Sequence, residues 1–327
     1  MNELDGTNLM CLFPGKHWGT SEDNLTMVVA HWDTVKKSPG FDDNGSGMAA
    51  LLEVARALGH SKCEFENSVI LAALDLEEVG THGGIALAND FLVEEILKDF
   101  NFPSIHGVIV LDSIMTYNET LGAQLLPQPY WDTFPETSQS IKDRGSKGDF
   151  IGTVLLSIYV QYIRNFVFPF FVIGLISRET DDSLTSLFHH HWKAQERHHQ
   201  SNSSQHHIGA ETFRLPPTIH DHVPDLQELQ KYTLFLRSDH VRFWFVHRED
   251  YYASFPSIHV TDTGPSRGLM KDCYHNTCDN AAHNVSHHFA SMDMLVKVTQ
   301  TIIDLLLGRI HVFLTKYLSK VLMYIHR

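Results

Sequence analysis

Short, continuous apolar runs alternate with amphipathic stretches through the first third of this chain. Leu25–Ala30 (LTMVVA), Ser68–Leu74 (SVILAAL) and Gly107–Leu111 (GVIVL) are brief and almost wholly apolar, the pattern of strands covered on both faces. Between the first two, Gly47–Leu58 (GMAALLEVARAL) carries apolar residues at helical spacing, and Gly59 stands where such a helix would stop. Gly84–Phe100 repeats that spacing, with Glu94, Glu95 and Lys98 on its polar side. Strands and helices in strict alternation predict an α/β fold, a sheet held between layers of helices.

The last third resumes the pattern. Asp225–Arg237 is expected to be helical, Ser257–Val260 a strand and Phe289–Leu307 a closing helix of high apolar content. From about Gly122 to Pro224 the periodicity is poor. This region is expected to be an insertion into a single domain spanning residues 1–307, with residues 308–327 a tail to which no role is assigned.

Composition narrows the function. The 327 residues are 43% hydrophobic and 20% charged, which is globular, and are enough for a substantial core. A formal net charge of -14 argues against a nucleic-acid partner, which calls for a basic face. Four cysteines make no disulfide scaffold; Cys273 and Cys278 either bridge across His275 or stay as thiols. The tract His189–His191 with His198, His199, His206 and His207 is expected to be a solvated loop. Met1–Pro14 has neither the basic start nor the long apolar run of a secretory signal, and the compartment stays unassigned.

Each early strand runs into a group that can ligate a metal. The first ends in His31-Trp32-Asp33, the second in Asp75-Leu76-Glu77-Glu78 and the third in Asp112. In open α/β sheets, ligands gather beyond the carboxyl ends of the strands, so these endings are expected to share one crevice. A lone acidic residue after a strand is usually a cap or a solvated loop residue, but three such endings of types that suit zinc are harder to dismiss. Asp42-Asp43-Asn44-Gly45-Ser46-Gly47 follows closely and opens the first helix.

His31-Trp32-Asp33, Asp43-Asn44-Gly45-Ser46-Gly47, Glu77-Glu78, Asp112 and Tyr274-His275 together resemble the co-catalytic di-zinc aminopeptidases of the MH clan of metallopeptidases. The resemblance covers about Asn8–Leu121 and Tyr232–Leu307. It implies a three-layer α/β/α sandwich with a mostly parallel mixed central sheet, two zinc ions per chain and peptide substrates with a free N-terminus. By the same resemblance His31 and Asp112 hold one zinc, Glu78 and His275 the other, and Asp43 bridges them. Asp33 would orient His31 by accepting its other ring N–H. Glu77 would be the general base, taking a proton from the water that attacks the scissile carbonyl. Ser238-Asp239-His240 also resembles a string of this family, and makes His240 a candidate substrate contact beside a plain core histidine. Tyr251 and Tyr252 are candidates to wall the pocket, although aromatic pairs are more often core.

Leu155–Ile176 is long and apolar enough to cross a membrane by hydropathy alone. Gln161, Arg164 and Asn165 sit at its centre, and a span there would divide Asp112 from His275, so it is read as non-transmembrane. Two rival readings of function stand beside the aminopeptidase. Glutaminyl-peptide cyclotransferases share the fold and much of the ligand set but use one zinc, and a binding domain of the same ancestry would have a site disrupted by the insertion.

Overall fold

The computed structural model describes residues 5–97, 104–153, 181–199, 208–215, 226–248, 251–282 and 288–308. Its centre is a sheet of strands β1 (Leu9–Phe13), β2 (Asn24–His31), β3 (Val69–Leu74), β4 (Ser104–Leu111) and, late in the chain, β9 (Ser257–Val260). The spatial order is β1-β3-β2-β4-β9. β2, β3, β4 and β9 run parallel, and β1 lies antiparallel on the β3 edge. Register pairs Val29 with Ala72 on one side and with Val110 on the other, so the carboxyl ends of β2, β3 and β4 finish at one rim.

Alternate side chains of these strands feed two separate cores, which is why the strands are apolar throughout. Val28, Ala30, Leu71, Ala73, Ile109 and Leu111 face one layer, with α1 (Gly45–His60), α5 (Asp182–His199) and α9 (His288–Gly308). Met27, Val29, Ile70, Ala72, Val108 and Val110 face the other, against Leu87, Leu92, Ile96 and Phe243. The expected three-layer sandwich around a mostly parallel sheet is what the chain adopts.

Most predicted elements are present, with shifted ends. The second helix begins earlier, as α2 (His82–Ala86), and continues in wider π-type turns over Leu87–Leu97. Its early start needs Gly83, since a Cβ there would sit 2.3 Å from the Asp75 carbonyl oxygen. Within 122–224, where no regular pattern was legible, lie α3 (Gln128–Thr133), α4 (Pro135–Asp143), β5 (Phe150–Thr153), α5 and β6 (Gly209–Thr212). β5 and β6 pair in parallel. Leu184, Phe188 and Trp192 of α5 are fully buried in the sheet's main core. His189–His191 therefore belong to a helix and not to the solvated loop expected of them. His206, His207 and the apolar segment Leu155–Ile176 lie outside the described residues. Among the described residues no helix is long and apolar enough to cross a membrane.

Three further helices and a hairpin complete the fold: α6 (Leu226–Lys231), α7 (His240–Trp244), β7 (Val246–Arg248) with antiparallel β8 (Tyr251–Ala253), and α8 (Met270–Cys273). The expected helix Asp225–Arg237 is thus α6 followed by a 3-10 turn at Thr233–Phe235. A smaller cluster, including Tyr130, Phe134, Phe150, Phe213, Phe235 and Trp244, packs beside the rim where the strands end.

Candidate metal centre

Asp42, Asn44, Ser46 and Gly47 each make a contact that depends on residue type. The Asp42 carboxylate accepts from the Met115 amide at 3.1 Å and from the Thr116 hydroxyl at 2.5 Å. Asn44 Oδ1 caps α1 by accepting the Gly47 amide at 3.1 Å, and also accepts the Ser113 amide at 3.2 Å. Its Nδ2 donates to the Leu111 carbonyl at 2.8 Å. The Ser46 hydroxyl accepts the Ile114 amide and donates to the Asp42 carbonyl. A Cβ at Gly47 would approach the Leu111 carbonyl oxygen to 2.7 Å, so glycine lets this turn lie against the end of β4. The string therefore ties the residues on either side of Asp112 to the turn that presents Asp43.

Around that junction the five expected ligands converge. His31 Nε2 lies 3.3 Å from Asp43 Oδ1 and 3.6 Å from Asp112 Oδ1. His275 Nε2 lies 3.2 Å from Asp43 Oδ2 and 3.1 Å from Glu78 Oε2. Asp43 stands between the two histidines, one oxygen toward each. Three residues at this rim hold the left-handed backbone that side chains rarely adopt: Leu76 (φ 58°), Ser113 (φ 53°) and His275 itself (φ 57°). Such outliers persist where the surroundings over-determine them, and they gather at functional sites.

The donor set fits a divalent cation. Among the described residues, the buried atoms His31 Nε2, Asp43 Oδ2 and Glu78 Oε1 have no hydrogen-bond partner. Ligand atoms of these three residues lie within 4.8 Å of one another. Buried polar atoms left unpaired are costly, and imidazole with carboxylate is a donor set that zinc accepts.

The electrostatics show crowded negative charge. Burial would lower the His31 pKa, yet the nearby carboxylates of Asp112, Asp33 and Asp43 raise it well above its ordinary value. Burial pushes the Glu77 carboxyl up to about 9; the His31 charge opposes this, and the charges of Asp112, Asp239 and Glu78 add to it. Asp239, also pushed up chiefly by burial, reaches about 7.

Asp33 sits beside His31 in a different way from the one expected. The ring Nδ1 lies 3.1 Å from the Asp33 backbone oxygen and 3.6 Å from the carboxylate. The carboxylate instead accepts the backbone amides of Glu77 and Glu78, at 3.0 and 3.1 Å. It thereby fixes the turn that carries both glutamates.

The candidate substrate contacts lie elsewhere. His240 is buried, with Nε2 3.2 Å from the Phe235 carbonyl oxygen and its ring against Trp244 and His259. The structure thus gives it the surroundings of a core histidine. Tyr251 and Tyr252 stand on the exposed β7–β8 hairpin, where Tyr252 stacks on His247, and neither is among the residues that line the cavity beside Asp112. That cavity is walled by Tyr130, Phe213, Leu234, Phe235 and Tyr274, with Asp112 and His259 at the ligand side.

Sequence reasoning missed His259 and Asp279. His259 Nε2 is 3.8 Å from Asp112 Oδ2, but one histidine in a fully buried strand gives no signal of its own. Cys273 and Cys278 form a disulfide across His275, settling the alternative left open by their spacing.

Comparison with known proteins agrees with the motifs over the first part of the chain. Residues 14–149 match the family described as Peptidase family M28, which bears out the resemblance there. A probable lipoprotein aminopeptidase, LpqL, of Mycobacterium tuberculosis is 46% identical over 63 residues, 19% of this chain and 12% of that protein. Aminopeptidase Y of Saccharomyces cerevisiae is 40% identical over 76 residues, 23% of this chain and 14% of that protein. The matched stretch is thus a small part of each relative. The solved structure of LapB from Legionella pneumophila shares the fold, with a TM-score of 0.50 at 16% identity over 94% of this chain and 56% of that one.

Proposed function

We propose that this chain is a zinc-dependent exopeptidase, an aminopeptidase that hydrolyses the N-terminal peptide bond, a reading supported by the match of residues 14–149 to Peptidase family M28. The observation that carries the reading is the position of Asp43, with one carboxylate oxygen 3.3 Å from His31 Nε2 and the other 3.2 Å from His275 Nε2. In this reading Asp43 would be shared by two zinc ions, one of them held also by His31 and Asp112 and the other by Glu78 and His275. Zinc bound there supplies Lewis-acid polarisation of a carbonyl and lowers the pKa of water.

The chain's own residues do the rest. Glu77 takes the proton of the attacking water and returns it to the leaving amine. Asp33 holds the Glu77 and Glu78 amides, so base and ligand are presented from one fixed turn. The aromatic and aliphatic walls of the adjoining cavity exclude water from the side chain of the residue being released.

The test is hydrolysis of aminoacyl-4-nitroanilides by the purified, zinc-loaded chain. Release of nitroaniline from substrates with a free amine, and none from their N-acetylated forms, is expected. Cyclisation of N-terminal glutaminyl peptides without hydrolysis would overturn the assignment.

A further inference from the structure

Asp279 joins the two segments that supply opposite sides of the site. It follows the loop that carries His275, which the Cys273–Cys278 disulfide closes. Its carboxylate accepts two consecutive backbone amides of the turn that carries Asp43: Asp42 N–H to Oδ1 at 2.9 Å and Asp43 N–H to Oδ2 at 3.2 Å. The Phe41 amide also donates to the Asp279 carbonyl, at 3.3 Å. Three hydrogen bonds thus couple segments more than 230 residues apart in sequence. The Asp279 residue is fully buried.

The direction of these bonds matters. An aspartate offers only acceptors at neutral pH, and each carboxylate oxygen here receives one amide. Both bonds are made to a charged acceptor, which orients them. They fix the backbone of Asp43 at the residue whose two oxygens face His31 and His275, on the same rigid piece of chain that presents His275. An asparagine would keep one acceptor and turn an NH₂ group toward the second amide.

We infer that Asp279 is a positioning residue that sets the separation of Asp43 and His275 and so the affinity of the site for its metal. The inference rests on the reading of these side chains as ligands. Asp23 provides the matched control. It is an equally buried aspartate, and it accepts the Ser68 amide at 2.9 Å and the Ser68 hydroxyl at 2.6 Å, where β2 and β3 begin, at the opposite rim of the sheet.

The experiment is cobalt(II) binding to the full chain, followed by the visible absorption of the bound ion, alongside thermal unfolding of the metal-free proteins. Asp279→Asn is expected to weaken cobalt binding roughly 10- to 100-fold, the usual cost of losing a group that orients a ligand. Asp23→Asn, with comparable loss of thermal stability, is expected to bind cobalt as the parent does. Should Asp279→Asn not fold, Asp279→Glu serves, since it keeps the charge and displaces the oxygens; weaker binding is again expected. Parent-like affinity in the folded Asp279 variant overturns the inference alone, as does equal weakening in Asp23→Asn. A parent chain that binds no cobalt, or a His31→Ala variant that binds it normally, overturns the reading of the site and this inference with it.

Discussion

Asn44 holds the main chain on both sides of Asp112, donating to the Leu111 carbonyl at 2.8 Å and accepting the Ser113 amide at 3.2 Å. One side chain therefore joins the turn bearing Asp43 to the end of the strand bearing Asp112, and it caps α1 as well. Asn44→Ala removes the cap and leaves a buried carbonyl and amide unpaired. A loss of roughly 3 kcal/mol is expected in denaturant unfolding. A variant within measurement error of the parent would remove Asn44 from this role.

Glu77→Gln keeps shape and volume but removes the carboxylate. With metal binding nearly unchanged, kcat is expected to fall by at least the ~10²–10⁴ that general acid–base catalysis contributes. Zinc content by elemental analysis and initial rates on aminoacyl-nitroanilides check this together. Retention of most activity would assign the proton transfer to another group.

Added zinc is expected to stabilise the fold, because the unfolded chain does not bring His31, Asp43, Asp112 and His275 together. At free zinc 100-fold above the dissociation constant the gain is ~2.7 kcal/mol, seen as a higher Tm. In His31→Ala the rise should shrink sharply. An unchanged rise in that variant would place the ion elsewhere.

His189 predicts a pH dependence away from the site. Burial lowers its pKa to about 3, and the charges of Lys193 and Arg214 add to the effect. The unfolded histidine titrates near its ordinary value of 6.5, so below that pH the unfolded chain binds the extra proton. The contribution to stability is complete above pH 6.5 and declines as the pH falls toward 3. Between neutrality and mildly acidic pH the loss is roughly 1–2 kcal/mol. Unfolding curves of the parent and His189→Leu should diverge over that interval, the variant being flatter; parallel curves would contradict the buried neutral state.

Trp192 tests whether α5 is integral to the domain. It is fully buried, stacked on Phe188, with the Lys297 ammonium of α9 4.1 Å from its ring centroid. Trp192→Ala is expected to cost ~3–5 kcal/mol in urea unfolding. A cost under 1 kcal/mol would make α5 a peripheral addition.

Much of the fold and the site was legible from local patterning. β2, β3, β4 and β9 are apolar throughout because both faces are covered, and that continuity is visible residue by residue. The candidate ligands His31 and Asp112, with Glu77 and Glu78 after β3, were marked by following those strands. Asp43 and His275 were recognised because their strings stand in a familiar order. β1 was missed because it is a solvent-exposed edge strand, whose partner β3 lies about 60 residues on, so neither alternation nor burial marks it. α5 was hidden by the polar and histidine residues on its outer side.

By itself the sequence indicated strands covered on both faces, since period is a local property, and it offered the candidate ligands through residue type together with the resemblance of their strings. Only the tertiary structure decided which side chains meet. It gave the Asp33 carboxylate to the Glu77 and Glu78 amides and buried His240 against Phe235, Trp244 and His259. It sent Tyr251 and Tyr252 to an exposed hairpin and drew Asp279 to the turn of Asp43. Those outcomes depend on contacts between segments far apart in the chain, and a hydrogen bond between residues 43 and 279 leaves no mark on the pattern around either one.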